Sequence, residues 1–171
     1  GALGQALEAV RDRWMKDDER GWLECHRLYA GIGPWLTRLA GEGRLVYVIS
    51  TKGKRFVEAL LAWQKVPIPP ERVIGRVIPK REKWDTVRDL AATHGLRADG
   101  GDIWFVEDRL TTLIDFRHSA PDLRRARLFL ADWGYIFPER DPDEARKAGI
   151  PVLALARMIG PFEGWSPRAT E

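Results

Sequence analysis

The pattern of apolar and polar positions changes near residue 44. Before that point, apolar residues recur at the three- and four-residue spacing of one helix face. This spacing predicts helices over residues 3–16, over a second piece that includes Trp22, Leu23, Leu28 and Tyr29, and over residues 34–40. After residue 44, short apolar runs alternate with amphipathic segments, which predicts strands that alternate with helices.

The apolar runs predict five strands, at residues 45–49, 73–78, 103–106, 126–131 and 152–155. Helices are predicted between them, at residues 56–63, 84–91, 110–118 and 143–148. The run at 45–49 is continuous and rich in β-branched residues, which is typical of a strand buried on both faces. The fold class is therefore expected to be α/β, with a parallel sheet flanked by helices on both faces.

Composition narrows the class of protein. The 171 residues suit one domain, and an excess of only three cationic over acidic residues does not favour nucleic acid as a partner. The single cysteine, Cys25, excludes an intrachain disulfide. Since the sequence has no cysteine or histidine cluster at ligand spacing, a bound metal would have oxygen ligands. No apolar run is long enough to span a membrane and no targeting peptide is visible, so no membrane partner and a cytoplasmic location are expected. The eight tryptophans include Trp14, Trp22, Trp35 and Trp63, at helical positions where packing would explain them.

Polar residues stand where the predicted strands end. Ser50 and Thr51 follow the first strand, Glu107 and Asp108 end the third, and Asp132 ends the fourth. In open parallel sheets, ligands bind beyond the carboxyl ends of the strands. Simpler interpretations exist for each one, since hydroxyl and carboxylate side chains also cap the helices that follow such strands. Lys80 and Lys83, which precede a predicted helix, are equally compatible with a solvated surface.

The order of these groups along the chain carries more information than any one of them. A strand ends in Ser50-Thr51-Lys52, a lysine precedes the helix in Pro79-Lys80-Arg81-Glu82-Lys83-Trp84, and a later strand ends in Glu107-Asp108. This order resembles the second, third and fourth motifs of the haloacid dehalogenase-like (HAD) superfamily, over residues 26–162. The segments Ile103-Trp104-Phe105-Val106-Glu107-Asp108 and Ala131-Asp132-Trp133-Gly134-Tyr135 are similar to a group of HAD-like proteins from cyanobacteria.

The resemblance implies a Mg²⁺-dependent phosphatase that acts on a small phosphorylated metabolite. In that family the hydroxyl at the position of Ser50 bonds a phosphoryl oxygen, with Thr51 beside it, and the family lysine balances negative charge. Lys80 is the first choice for that lysine and Lys83 the second. The acidic pair would bind Mg²⁺, with Asp108 preferred over Glu107. The family variant with Gly before the Asp and a further Asp four residues later does not apply, since Glu107 and Thr112 stand there.

The resemblance also implies a missing part. The family nucleophile is an aspartate at the end of a first strand, usually followed two residues later by a second aspartate, and no apolar strand here ends in that pair. Residues 1–25 resemble the last part of a helical cap, residues 26–163 the core without its first strand, and residues 164–171 a disordered tail. The absent strand would lie between those ending in Ser50 and Asp108. Its loss would leave two open edges, so closure of the sheet or self-association through the edges is expected.

Two functions remain open from the sequence. The first is a phosphatase whose isolated chain, lacking the nucleophile, shows no Mg²⁺-dependent turnover. The second is a non-catalytic HAD-like domain that binds a ligand or a protein. A receiver-like signalling domain is disfavoured, because its acidic pair precedes its lysine. Both open interpretations require Ser50, Lys80 and Asp108 to converge at one rim of a parallel sheet.

Overall fold

The computed structural model describes residues 2–76 and 81–165. Its contacts divide the chain into two compact units, unit 1 from Gly1 to Arg81 and unit 2 from Glu82 to Glu171. Each unit combines helices with short parallel strands, which confirms the mixed α/β class. The division does not follow the boundaries at residues 25 and 163, which stay predictions based on the resemblance.

Unit 1 is mostly helical. Its helices are α1 (Ala2–Asp17), α2 (Glu19–Glu24), α3 (Ile32–Gly41) and α4 (Lys54–Trp63), and its strands are β1 (Val48–Ile49) and β2 (Val73–Ile74). A 3₁₀ turn, Pro70–Arg72, leads into β2. The two strands are parallel, with Val48 opposite Val73 and Ile49 opposite Ile74.

The second helix is shorter than the sequence predicts. Asp18 starts it by accepting a hydrogen bond from Gly21 N at 2.8 Å. It ends at Glu24, because His26 N bonds to Leu23 O in a tighter turn that does not continue the helix. The prediction that Leu28 and Tyr29 belong to this helix is therefore wrong.

The first predicted strand is also shorter than its apolar run. Only Val48 and Ile49 pair, both are half-buried, and Leu45 is 49% exposed. The prediction of a five-residue strand buried on both faces is therefore wrong. The pairing stops early because the 3₁₀ turn before β2 leaves that partner strand only two residues long. Residues 77 and 78, at the end of the second predicted strand, lie outside the described residues.

An aromatic cluster stabilises unit 1. Trp22, Leu23 and Phe56 are buried together, and the rings of Trp22 and Phe56 lie 5.6 Å apart. Trp35 is buried as well, whereas Trp14 and Trp63 are each 43% exposed. Packing therefore explains only two of the four tryptophans that the helical pattern assigned to it.

Unit 2 contains a three-stranded parallel sheet in the order β3-β4-β5. The strands are β3 (Trp104–Glu107), β4 (Arg127–Ala131) and β5 (Val152–Leu153). The helices are α5 (Lys83–Thr93), α6 (Leu110–Ser119), α7 (Asp141–Lys147) and α8 (Leu155–Met158), with 3₁₀ turns at Pro121–Leu123 and Phe162–Gly164. The fifth strand was predicted to reach Leu155, but that residue begins α8.

The core of unit 2 forms around β4, which pairs on both sides and is buried from Leu128 to Ala131. Four rings pack together with 5.1 to 5.5 Å between the centres of neighbouring rings: those of Trp104, Phe129, Phe162 and Trp165. Trp165 is only 3% exposed although the sequence assigns it to the tail. The rest of that tail, residues 166–171, lies outside the described residues.

Within the described residues, both β1 and β3 are edge strands of their sheets. β1 pairs with β2 alone, and β3 pairs with β4 alone. These are the strands that precede Ser50 and Asp108. Within residues 2–76 and 81–165, no helix combines the length and the apolar character that a membrane crossing requires.

Candidate functional site

The end of β1 fixes Ser50 through two hydrogen bonds. Its backbone N donates to Ile74 O at 2.8 Å, and its Oγ accepts from the backbone N of Lys52 at 3.1 Å. Since Oγ acts as an acceptor in the second bond, its own hydrogen stays free to be donated to an anion. The alternative that Ser50 or Thr51 caps α4 is wrong, because Gly53 occupies that position. Thr51 is exposed in the turn that follows.

Lys52, which the sequence did not single out, lies in a polar and aromatic setting in unit 1. Its Nζ is 3.3 Å from Nε2 of His26, and the Nδ1 of that ring is 2.8 Å from the carbonyl oxygen of Trp22. Nδ1 must therefore carry the proton it donates to this carbonyl, which leaves Nε2 as the acceptor for the lysine. The ammonium also lies 5.4 Å from the centre of the Trp22 ring.

Burial lowers the pKa of Lys52 below its usual 10.5, and the charge of Arg11 lowers it further, while Glu8 acts in the opposite direction. Within the part of the chain that the structure describes, no carboxylate forms an ion pair with this ammonium. The cationic form therefore lacks the stabilisation of a direct ion pair, and the attraction of Glu8 only partly offsets the burial. No local pattern could have revealed this, because His26 precedes Lys52 by 26 residues.

Lys80, the first choice for the family lysine, lies in the segment 77–80, outside the described residues, and stays a prediction. The second choice, Lys83, begins α5 and forms an ion pair with Glu107 at the end of β3. The side chain of Glu107 is only 4% exposed and that of Lys83 is 21% exposed. Lys83 is thus the lysine that the structure brings to the acidic pair.

The environment of Glu107 sets its protonation. Burial raises the pKa of this carboxyl above its usual 4.5, Lys83 opposes the rise, and the adjacent Asp108 adds to it. Its second oxygen, Oε1, accepts from the backbone N of Arg109 at 3.2 Å. The acidic pair does not cap α6 in the way the simpler interpretation proposed, since Arg109 occupies the cap position.

Asp108 is held by the loop that follows β4. Its Oδ2 accepts a hydrogen bond from the backbone N of Tyr135 at 2.9 Å. A Cβ added at Gly134 would come within 2.8 Å of the Asp108 carboxyl carbon, so this close approach requires glycine. Asp132 starts the same loop and is exposed, and its backbone N bonds to Leu153 O at 3.2 Å. The loop therefore orients Asp108 and leaves Asp132 in solvent.

The acidic pair fits a magnesium ion only as a partial ligand set. Among residues 2–76 and 81–165, no group of three or more histidine, cysteine or acidic side chains is placed to hold a metal. Mg²⁺ needs fewer, because it retains several waters and takes one or two carboxylates together with substrate phosphate. Asp108 suits that role better than Glu107, whose two oxygens are engaged by Lys83 and by Arg109 N.

The one Asp-x-Asp sequence in the chain, Asp141-Pro142-Asp143, has a structural role. It forms the first turn of α7 and does not follow a strand. Asp141 is buried and accepts from the backbone N of Phe137 and from the Arg140 guanidinium, which lower the pKa of its carboxyl. This pair therefore does not lie at the end of a strand, where the family nucleophile would be.

Comparisons with known proteins give no relative for this arrangement. Neither the descriptions of known protein families, nor the curated proteins, nor the solved structures contain a match to the chain. The resemblance to the HAD superfamily therefore depends on the motifs and on their order in the sequence.

Proposed function

We propose that this chain is a HAD-like domain of the phosphatase type, which binds a small phosphorylated metabolite together with Mg²⁺. The observation that carries the proposal is the cluster at the end of β3, where Lys83 pairs with buried Glu107 and the loop after β4 orients Asp108. An ammonium and a fixed carboxylate beside one strand end suit a phosphoryl group and its metal ion.

The resemblance gives each of these residues a role. The hydroxyl of Ser50, in unit 1, donates its hydrogen to a phosphoryl oxygen, because its oxygen already accepts a hydrogen bond from the backbone N of Lys52. In unit 2, Asp108 is the first metal ligand and Glu107 the second, and Lys83 neutralises negative charge beside them. A bound Mg²⁺ supplies the charge that stabilises the phosphoryl oxygens. Lys80 and Thr51 keep the phosphate-binding roles that the resemblance implies.

The chain itself is expected to bind the metabolite without hydrolysing it. Family hydrolysis uses an aspartate nucleophile, and the chain's one Asp-x-Asp pair begins a helix instead of ending a strand. The same observation favours the second candidate function, a non-catalytic HAD-like domain that binds a ligand or a protein. Turnover separates the two candidates, and ligand binding is common to both.

The test combines binding with activity. Phosphate binding is measured by calorimetry with and without Mg²⁺, and hydrolysis is measured with a generic aryl phosphate. Ser50→Ala should weaken phosphate binding about tenfold or more, the usual effect of removing a hydrogen bond to a charged group. Asp108→Asn should abolish the Mg²⁺ dependence, and no variant should hydrolyse the aryl phosphate above background.

Matched controls make the result specific. Thr37→Ala removes an exposed hydroxyl in α3, and Asp143→Asn removes an exposed carboxylate in α7, and neither should change binding. Phosphate binding that ignores both Ser50→Ala and Asp108→Asn would refute the proposal. Hydrolysis that Asp108→Asn abolishes would show instead that the chain holds a complete catalytic site.

A further inference from the structure

A concave surface of unit 2 lies away from the acidic pair. It is a cavity of ≈ 250 Å³ whose lining consists of Arg117, Ala126, Arg127, Leu128, Phe129 and Pro151. These residues come from the end of α6, the start of β4 and the position just before β5. In the parallel sheet they mark the amino ends of the strands, whereas Glu107 and Asp132 mark the carboxyl ends.

Two guanidinium groups at this cavity are held in place without an acidic partner. Arg117 donates one hydrogen bond, from Nη1 to the carbonyl oxygen of Ala148 at 2.6 Å. The guanidinium of Arg127 lies 4.7 Å from the centre of the Trp104 ring. The first contact uses one of the five N–H donors of an arginine, and the second uses the face of the group, so most donors remain available.

Two other arginines of unit 2 have acidic partners. Arg125 pairs with Asp99, and Arg88 pairs with Asp122 and Asp85. Neither Arg117 nor Arg127 forms an ion pair with a carboxylate among the residues that the structure describes. Two positive charges therefore face one cavity, where an anion would lower their mutual repulsion.

The shape and chemistry of the cavity favour a phosphoryl group. Planar guanidinium groups match phosphate oxygens with paired N–H donors, and phosphate carries enough charge to neutralise both. The cavity is smaller than the roughly 300–1,000 Å³ of ordinary small-molecule pockets, which suits a phosphate-sized group better than a nucleotide. Leu128 and Phe129 are almost fully buried, so part of the lining belongs to the packed core.

We propose that Arg117 and Arg127 form an anion-binding site for the phosphoryl group of a small phosphate ester, at the amino-terminal rim of the β3-β4-β5 sheet. This site is separate from the residues of the proposed function and does not depend on them.

The experiment is a titration of the whole chain with inorganic phosphate, followed by amide NMR signals at constant ionic strength in chloride buffer. Saturable shifts are expected at residues 126–129 and at residues 148–150 and 152. Arg117→Gln and Arg127→Gln should each weaken the phosphate affinity obtained from these shifts about tenfold, the effect of losing a charge-assisted hydrogen bond. Arg124→Gln, which removes an exposed arginine outside the cavity lining, should leave them unchanged.

A conservative variant of Arg127 separates the loss of phosphate binding from a loss of structure. Arg127→Lys keeps the positive charge beside Trp104 but loses the planar fork, so it should bind phosphate with an intermediate affinity. Shifts that are absent at residues 126–129, or that all three Gln variants change equally, would overturn the inference. Shifts confined to residues 50–52 would also overturn it while leaving the proposed function intact.

Discussion

Replacing Lys83 by Met tests how the acidic pair at the end of β3 is stabilised. The substitution removes the ammonium that pairs with Glu107 but keeps a side chain of similar length and apolar bulk. The carboxylate that loses its partner is almost completely buried, with a side chain 4% exposed. Its ionised form then lacks a compensating positive charge in a poorly solvated site.

The expected loss of stability depends on whether Glu107 stays charged or takes up a proton when Lys83 is removed. Removing one partner of a buried ion pair costs about 3–5 kcal/mol if the other stays charged. Protonation reduces this cost, because burial already raises the pKa of Glu107 and the loss of Lys83 removes a contribution that lowers it. A loss of about 2–3 kcal/mol in the free energy of unfolding is therefore expected near pH 7.5.

The pH dependence has a definite sign. A carboxyl whose pKa is higher in the folded than in the unfolded state keeps its proton longer when folded. The stability it confers is complete below the unfolded value, near 4.5, and is lost as pH rises through the raised folded pKa. Lys83→Met raises that pKa further, so its cost should be small at about pH 4 and should grow toward about pH 8.

The assay is urea denaturation at several pH values, followed through amide signals of unit 2 so that unit 1 does not contribute. Arg146→Met is the matched control, since it breaks an exposed ion pair with Asp143 and should cost no more than about 0.5 kcal/mol. The double variant Lys83→Met with Glu107→Gln should recover most of the loss. A cost for Lys83→Met that is independent of pH, or equal to that of the control, would refute this reasoning.

Two further substitutions test other contacts. Gly134→Ala should lower the free energy of unfolding by about 1–3 kcal/mol, because the added Cβ would displace Asp108 from Tyr135 N. Gly164→Ala, which has open space around it, should leave the stability unchanged. Equal melting temperatures of the two variants in thermal denaturation would contradict this account. The amine of Lys52, followed by ¹³C NMR, should titrate below 10.5, and an unshifted titration would contradict the burial argument. Because this pKa is lower in the folded than in the unfolded state, the stability relative to Lys52→Met should rise as the pH increases from the lowered pKa to 10.5.

Periodicity predicted most of the helices well, apart from the extent of α2, because an amphipathic helix depends on its own neighbours in sequence. The helix over residues 110–118 was predicted almost as it is found, at Leu110–Ser119. Strand 126–131 was also close, since β4 has partners on both sides that keep it extended. Residues 45–49 failed because the length of a strand depends on its partner, and β2 is only two residues long.

For the candidate site too, the sequence predicts features that depend on the order of residues better than contacts between distant residues. The order of a hydroxyl, a lysine and an acidic pair could be read from the chain, with Lys80 preferred over Lys83 as the lysine. The structure joins Lys83, the second choice, to Glu107 and Asp108 at the end of β3. Whether Ser50 converges with Asp108 stays a prediction. The setting of Lys52 and the cavity at Arg117 could not be predicted, because each depends on residues that are distant in sequence.

The aromatic contacts of Trp165 affect where the chain can be shortened or extended. Its ring, with that of Phe162, covers Trp104 and Phe129, so the last described turn completes the core of the β3-β4-β5 sheet. A truncation before Phe162 would expose both covered rings to water. Affinity tags and fusion partners should therefore be joined after Trp165.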